Sequence, residues 1–258
     1  MTRILLTNDD GIHSDGLIKL ESALSEIGDV YVIAPAAEMS GASHSLTLAR
    51  PLRIRQIDER HWTVDGTPTD CVTLALHKIL PEEERPQLCV SGINHGGNLG
   101  DDATYSGTVA GALEATILGV PGIALSLVAR ENFDFTEAAR FAISAVRKIM
   151  SEGLPDGTLL NINIPQGEIK GVRITRQGIK NARTIISEHI DPRGKPYFWI
   201  GEEYFRSNAE DGTDYRAIEL GYVSVTPLKA DMTDHDALTQ LDSWTDAAGQ
   251  ELLQTEQA

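Results

Sequence analysis

Asp9 and Asp10 are the first residues whose type and spacing suit chemistry. They follow the apolar run Ile4-Leu5-Leu6, which reads as a buried strand, and they precede Gly11. Adjacent carboxylates repel each other unless a cation or a proton sits between them, and a hard divalent metal suits that place. The plainer reading makes Asn8, Asp9 and Asp10 a turn that caps the next helix.

Two further loops strengthen the first reading. Met39 to Ser45 is small and polar and contains Ser40, and Ser91 to Gly100 carries four glycines together with Asn94 and Asn98. Each follows a predicted strand, so all of them reach the carboxyl-end rim where open α/β sheets bind ligands. Two carboxylates, the Ser40 hydroxyl and an amide oxygen from the glycine-rich loop make an all-oxygen set. That set suits Mg²⁺ or Mn²⁺, with waters completing the shell. Ser106-Gly107-Thr108 opens a helix whose free N–H groups and positive dipole end can hold phosphate oxygens. Alone it would be a Ser/Thr cap. Convergence on one rim favours a metal-assisted phosphate site.

Other chemistries fail on spacing. A haloacid-dehalogenase-type phosphatase needs an Asp nucleophile where this chain has Asn8. No G-x-G-x-x-G follows the first strand, no G-x-x-x-x-G-K-[ST] occurs, and Gly41-Ala42-Ser43-His44-Ser45 lacks the second glycine of a nucleophile elbow. His13, His44, His77, His95 and His235 show no metal-ligand spacing, although His44 or His95 can reach the rim. Asp101-Asp102 reads as a solvated turn beside a helix, and Asp65 to Asp70 as a turn and cap.

The elements that must carry these loops alternate. Leu17, Leu20, Leu24 and Ile27 recur at helical spacing, with Gly28 closing the helix. Val30 to Ala34 is the second buried strand, so a right-handed, parallel βαβ unit is expected. Leu52 to Gln56 and His61 to Val64 read as a hairpin, and a helix should run from Gly66-Thr67-Pro68-Thr69-Asp70 to about Leu80. Gln87 to Val90 and Gly122 to Val128 read as strands. Between them, Val109, Leu113 and Ile117 mark one face of a helix. Phe141, Ala142, Val146 and Ile149 mark a long helix, and Leu159 to Ile164 a last strand. The fold class expected is α/β, a Rossmann-like three-layer sandwich with a mostly parallel sheet, plus a C-terminal β-hairpin and helix extension. Residues 1–178 would form the catalytic domain and residues 179–258 the extension. In the extension, Val172 to Thr175, Thr184 to Ile190, Tyr197 to Ile200 and Val223 to Thr226 read as strands, the first of them just before the boundary. Asp191-Pro192-Arg193-Gly194 is a hairpin turn, and Leu238, Leu241, Trp244 and Leu252 mark a C-terminal helix. The consecutive aromatics Tyr197, Phe198 and Trp199 either pair with a second subunit or cover the domain's own core.

At 258 residues, with 41% hydrophobic and 23% charged, the chain can bury a full core. Its net charge of −16 argues against long nucleic acid and anionic membranes, and so against a nuclease with a basic groove. Cys71 and Cys89 have no CxxC spacing and read as buried thiols of a reducing compartment. One Arg followed by three apolar residues is too little for a signal peptide, and no run has membrane-spanning length. A cytoplasmic location is expected.

Asn8-Asp9-Asp10-Gly11, Ser40-Gly41-Ala42-Ser43, Gly66-Thr67-Pro68-Thr69-Asp70-Cys71, Ser91-Gly92-Ile93-Asn94 and Tyr105-Ser106-Gly107-Thr108-Val109 together resemble the signatures of the SurE survival proteins. The resemblance is strong over the first half and looser beyond Gly178, where it rests on the hairpin and Val223-Ser224-Val225-Thr226-Pro227. It implies a Rossmann-like fold whose C-terminal extension exchanges between subunits of a homodimer or homotetramer. It also implies a cytoplasmic, divalent-metal-dependent phosphatase acting on 5′- and 3′-nucleoside monophosphates, and in some members on polyphosphate. The metal ligands it implies are Asp9, Asp10, Ser40 and Asn94. One departure is Ser14-Asp15-Gly16, where many members have Ala-Pro-Gly. The resulting expectation is a phosphomonoesterase using one divalent ion, Mg²⁺ or Mn²⁺ with Co²⁺ as a further candidate. In it Asp9 or Asp10 takes a proton from water, and Asn98, Ser106, Gly107 and Thr108 hold phosphate. The competing expectation is a regulator that binds a nucleotide or a metal without catalysis.

Overall fold

The computed structural model describes residues 2–180, 182–204 and 209–242. The first strand, β1 (Thr2–Thr7), sits inside a nine-stranded sheet. Ile4 and Leu6 point to one apolar layer and Leu5 to the other, and all three are fully buried. A strand buried on both faces reads as a continuous apolar run, which is why Ile4-Leu5-Leu6 was legible.

β1 pairs in parallel with β2 (Gly28–Pro35) on one side and with β5 (Leu88–His95) on the other. The hairpin β3 (Ile54–Gln56) and β4 (His61–Val64) extends the sheet beyond β2. On the other side follow β6 (Gly122–Val128), β7 (Thr158–Pro165), β11 (Val223–Lys229) and β8 (Val172–Ile174), in that spatial order. The strands from β4 to β7 run parallel, while β11 runs antiparallel to β7. Helices α1 (Asp15–Leu24) and α4 (Thr136–Glu152) cover one face. Helices α2 (Pro68–Leu74) and α3 (Gly107–Ile117) pack together on the other. The result is the expected three-layer α/β fold. Because β2 and β5 lie on opposite sides of β1, the sheet's switch point falls beyond the carboxyl ends of β1 and β5.

Several boundaries differ from the expectations. Helix α1 ends at Leu24 and is capped by Ser25, so Ile27 lies outside it and Gly28 opens β2. Helix α2 ends at Leu74, and a π-helical turn, Ala75–Ile79, continues toward Leu80. Ile117 is 52% exposed rather than packed, because it lies at the free end of α3. Strand β5 continues to His95 through a register shift between Ser91 and Asn94, although its glycine and polar residues read as loop.

In the last third, β9 (Ala182–Ile190) and β10 (Pro196–Tyr204) form a separate two-stranded antiparallel sheet. Its Phe198, Trp199 and Ile200 are more than half exposed, so the aromatics do not cover the domain's own core. The short helix α5 (Asp214–Glu219) had no counterpart among the expectations. Strand β11, placed in the extension by a boundary at residue 178, lies within the main sheet. Helix α6 (His235–Leu241) contains Leu238 and Leu241, whereas Trp244 and Leu252 lie outside the described residues. Among the described residues no helix is long and apolar enough to cross a membrane.

Candidate metal and phosphate site

Asn8, Asp9 and Asp10 leave the end of β1 at the switch point. The first of them is structural. Asn8 is fully buried, and its Nδ2 donates to Gly11 O (3.0 Å) and to Ser14 Oγ (2.7 Å), fixing the entry to α1. Ser14 is also the N-cap of α1. The departure at Ser14-Asp15-Gly16 therefore installs a working cap, and it leaves Asp15 exposed.

Asp9 is 4% exposed, and the start of α3 lies directly on it. Thr108 donates its hydroxyl to Asp9 Oδ1. A Cβ at Gly107 would stand 2.8 Å from Asp9 Cβ and 2.9 Å from Oδ2, so only glycine allows this approach. Burial, reinforced by the neighbouring Asp10, pushes the Asp9 carboxyl up to about 6 against the pull of Thr108. Asp10 Oδ2 is buried and accepts no hydrogen bond. His95 Nδ1 faces it at 3.1 Å as a charge contact if the imidazole is protonated, and neither atom makes a hydrogen bond. Asn8 Oδ1 is a second buried acceptor with no hydrogen-bond donor. Buried acceptors without hydrogen bonds beside the desolvated Asp9 carboxylate fit a bound cation.

The Ser40 loop is fastened over this rim. Met39 N–H donates to Asp9 O (2.7 Å), and Ser43 donates N–H to Tyr105 O (3.0 Å) and Oγ–H to Thr104 O (2.7 Å). Ser40 itself is exposed and donates to Glu38 Oε1 at 2.8 Å. His44 does not join the carboxylate pair. Its Nε2 lies 2.8 Å from Oε2 of buried Glu114 on α3, and Thr73 of α2 donates to Glu114 Oε1 at 2.8 Å. The His44 hydrogen bond holds the Glu114 carboxyl below its ordinary range despite burial, with Thr73 adding to it. Thr47 then bonds Asp70, which also closes the capping box of α2, so Asp70 is the cap its sequence indicated.

Asn94 comes from the end of β5. Its Nδ2 donates to Gly96 O at 2.9 Å, leaving the amide oxygen available as an acceptor. Asn98 is more deeply set. Its backbone N–H donates to Asn163 Oδ1 (2.7 Å), its carbonyl accepts from Asn161 and Asn163, and its Nδ2 donates to Ser126 Oγ (2.8 Å). One Nδ2 hydrogen remains for a ligand. Ser106 caps α3 by accepting from Val109 N–H at 3.0 Å, which still leaves its hydroxyl hydrogen to donate. The ring of His95 meets the rings of Phe133 and Phe135 edge-on, with centroids 4.9 and 4.8 Å away, and so stands as a wall beside Asp10. Asp101-Asp102 is not a bare acidic pair, because Lys180 Nζ lies 2.5 Å from Asp102 Oδ1. Asn161, Asn163 and Glu114 gave no signal in the sequence. Each sits in an apolar run or a helix, and only the fold carries it beneath a rim loop.

Fold and site define a doubly wound α/β protein with a paired-carboxylate site at its switch point. The family model described as "Survival protein SurE" matches residues 4–184. A 5′-nucleotidase SurE of Aquifex aeolicus is 49% identical over 245 residues, covering 93% of this chain and 97% of that protein. One of Myxococcus xanthus is 50% identical over 244 residues, covering 94% and 93%. The crystal structure of the Aquifex aeolicus SurE protein superposes with a TM-score of 0.85 at 49% identity, over 94% of this chain and 99% of the other. The chain belongs to the SurE family.

Proposed function

We propose that this protein hydrolyses nucleoside monophosphates to nucleoside and phosphate at the rim between β1 and β5. One observation carries the reading: the N-terminus of α3 is packed onto the buried Asp9 carboxylate, beside Asp10 Oδ2, which accepts no hydrogen bond. Such a site takes a cation and a phosphate together. The substrate class comes from the relatives named 5′-nucleotidase. The 3′ ester and short polyphosphate present a similar phosphoryl group and fall within the same proposal.

In this reading Asp9, Asp10, Ser40 and Asn94 hold one divalent ion, Mg²⁺ or Mn²⁺ with Co²⁺ as a further candidate. Ser40 Oγ gives its hydrogen to Glu38 and keeps its lone pairs for the ion. When bound, that ion supplies charge to a phosphoryl oxygen and acidity to a water. Asp10 Oδ2, which accepts no hydrogen bond within the protein, accepts the proton of the attacking water. The free Nδ2 hydrogen of Asn98, the Ser106 hydroxyl and the N–H groups of Gly107 and Thr108 hold the phosphate oxygens.

The proposal extends to assembly and location. The hairpin β9–β10 presents apolar side chains on both faces, and an isolated two-stranded sheet is marginal in water. Residues 179–258 serve as an oligomerisation extension, pairing this hairpin with a second copy in a homodimer or homotetramer. The buried free thiols Cys71 and Cys89 suit the cytoplasm.

The test is phosphate release from a panel of nucleoside monophosphates and short polyphosphate, after EDTA and again with Mg²⁺, Mn²⁺ or Co²⁺ restored. Metal-dependent release is the expected result. Saturable nucleotide binding without release by folded protein would sink the assignment and mark a regulator.

A further inference from the structure

The hairpin β9–β10 leaves and rejoins the body through one neck. Arg176 N–H donates to Gly212 O, and Asp214 N–H donates to Arg176 O, each at 3.0 Å. At this neck the Asp214 carboxylate is wholly buried. Its Oδ1 accepts from Gly178 N–H and Tyr215 N–H, each at 2.8 Å, and its Oδ2 accepts from Gly100 N–H at 2.7 Å. One carboxylate therefore joins the outgoing arm of the neck, the returning arm and the glycine-rich loop. The junction is tight: a Cβ at Gly100, where φ is +51°, would lie 2.3 Å from Gly178 O and 2.8 Å from Tyr215 Cε2. Further bonds follow the same line. Gln177 Nε2 donates to Gly100 O (3.0 Å), Tyr215 Oη to Leu99 O (3.2 Å) and Lys180 Nζ to Asp102 Oδ1 (2.5 Å).

The contacts that leave the neck land between Leu99 and Asp102, the stretch that leads from Asn98 to the start of α3. Asn94 is held separately, opposite Ser126 in the β5–β6 ladder. The neck therefore bears first on the stretch between Asn98 and α3, the phosphate end of the site, and reaches Asp9 only through the start of α3.

We infer that Asp214 is a positioning residue through which the hairpin neck sets Asn98 and the α3 N-terminus for phosphate. The inference rests on the phosphate reading above. It makes the last third of the chain part of the site's framework, so the surface that pairs subunits and the loop that holds substrate share one anchor.

The test uses the full chain, with Mn²⁺ alone and then inorganic phosphate at saturating Mn²⁺ as calorimetric probes. Asp214→Asn is isosteric but sets an amide where two acceptor oxygens are needed. Its phosphate Kd should rise about tenfold, the scale of a lost supporting contact, with KM for a nucleoside monophosphate rising in step. Its Mn²⁺ Kd should stay within about twofold, on the same reasoning. Tyr215→Phe, which loses only the hydroxyl, should shift phosphate affinity in the same direction by less, and it carries the test if Asp214→Asn does not fold. Unchanged phosphate affinity in the folded variants overturns the inference. So does a parallel loss of Mn²⁺ affinity, which would mark general loosening, and so does wild-type protein that binds no phosphate. Wild-type protein that binds phosphate but releases none from nucleotides sinks the hydrolytic reading alone.

Discussion

The rim beyond β1 and β5 and the hairpin β9–β10 depart from an ordinary globular surface in opposite directions. At the rim, Asp10 Oδ2, Asn8 Oδ1 and His95 Nδ1 are buried without a hydrogen bond, the first and the last facing each other at 3.1 Å. On the hairpin, Trp199 at 65% and Ile200 at 78% hold carbon in water. Burying polar groups unpaired costs free energy, and so does exposing a contiguous apolar face. The first calls for a small cation and the second for another apolar surface. On the proposal above, each region would be completed by a partner of the missing kind, and the two completions can be measured apart.

The largest effect should come at the carboxylates. Asp10→Asn removes a ligand charge, so Mn²⁺ affinity should fall by at least about 100-fold, beyond the loss of a supporting contact, and metal-dependent turnover should vanish. Calorimetry and phosphate release check this, and an unchanged rate would break the rim half of the comparison.

Asp9 offers a sharper test in chelator. Its carboxyl stands at about 6 in the fold against an ordinary 3.8. A raised carboxylate favours folding fully below the unfolded value and loses that contribution as pH rises through the folded one. Above pH 7 the ionised group should therefore cost about 3 kcal/mol, from roughly 1.4 kcal/mol per unit. Asp9→Asn should then melt above the metal-free wild type at pH 7.5 and match it near pH 4. Saturating Mn²⁺ should reverse the order at pH 7.5. Equal melting at both pH values would remove desolvation as the reason a cation is wanted.

On the hairpin, Trp199→Glu should shift the protein toward monomer in light scattering and leave Mn²⁺ affinity within about twofold, since the residue belongs to the separate two-stranded sheet and not to the rim. Loss of metal affinity with the assembly intact would show that the two regions are not chemically separate. The smallest effect should be His44→Ala. It frees one of the ties of the Ser40 loop, so Mn²⁺ affinity should fall by up to about tenfold, and His44→Gln should recover part of it by donating to Glu114. Identical affinity in His44→Ala would leave the main-chain bonds of Met39 and Ser43 as sufficient anchors.

Much of the rim was legible in the chain because strand order does the work. A short apolar run followed by Asp9-Asp10, and two later runs followed by the Ser40 and Asn94 loops, must deliver those loops to one edge once the strands are parallel. Local chemistry is equally visible. Thr67 and Ser106, each in a stretch read as a cap, stand before a helix and accept from an N–H of its first turn, whereas the caps Ser14 and Thr213 emerged only with the fold. Boundaries were less legible where one composition suits two states. Ser91 to His95 is polar and glycine-rich, yet it continues β5, because β6 supplies its ladder partners at Ser126 and Leu127.

The sequence by itself determined the α/β order, the carboxylate pair and the helix start that faces it, since each is written in neighbouring residues. Only the tertiary structure decided what lies behind them. Asn161 and Asn163 alternate within an apolar strand, Glu114 sits in a helix, and Asp214 follows Gly100 by more than a hundred positions. Their partners are backbone and side-chain groups remote in sequence, and a hydrogen bond has no periodicity to betray it. The same holds for the hairpin: its aromatic run is plain in the chain, but whether it covers this core or faces outward depends on where the neck at Arg176 and Asp214 directs it.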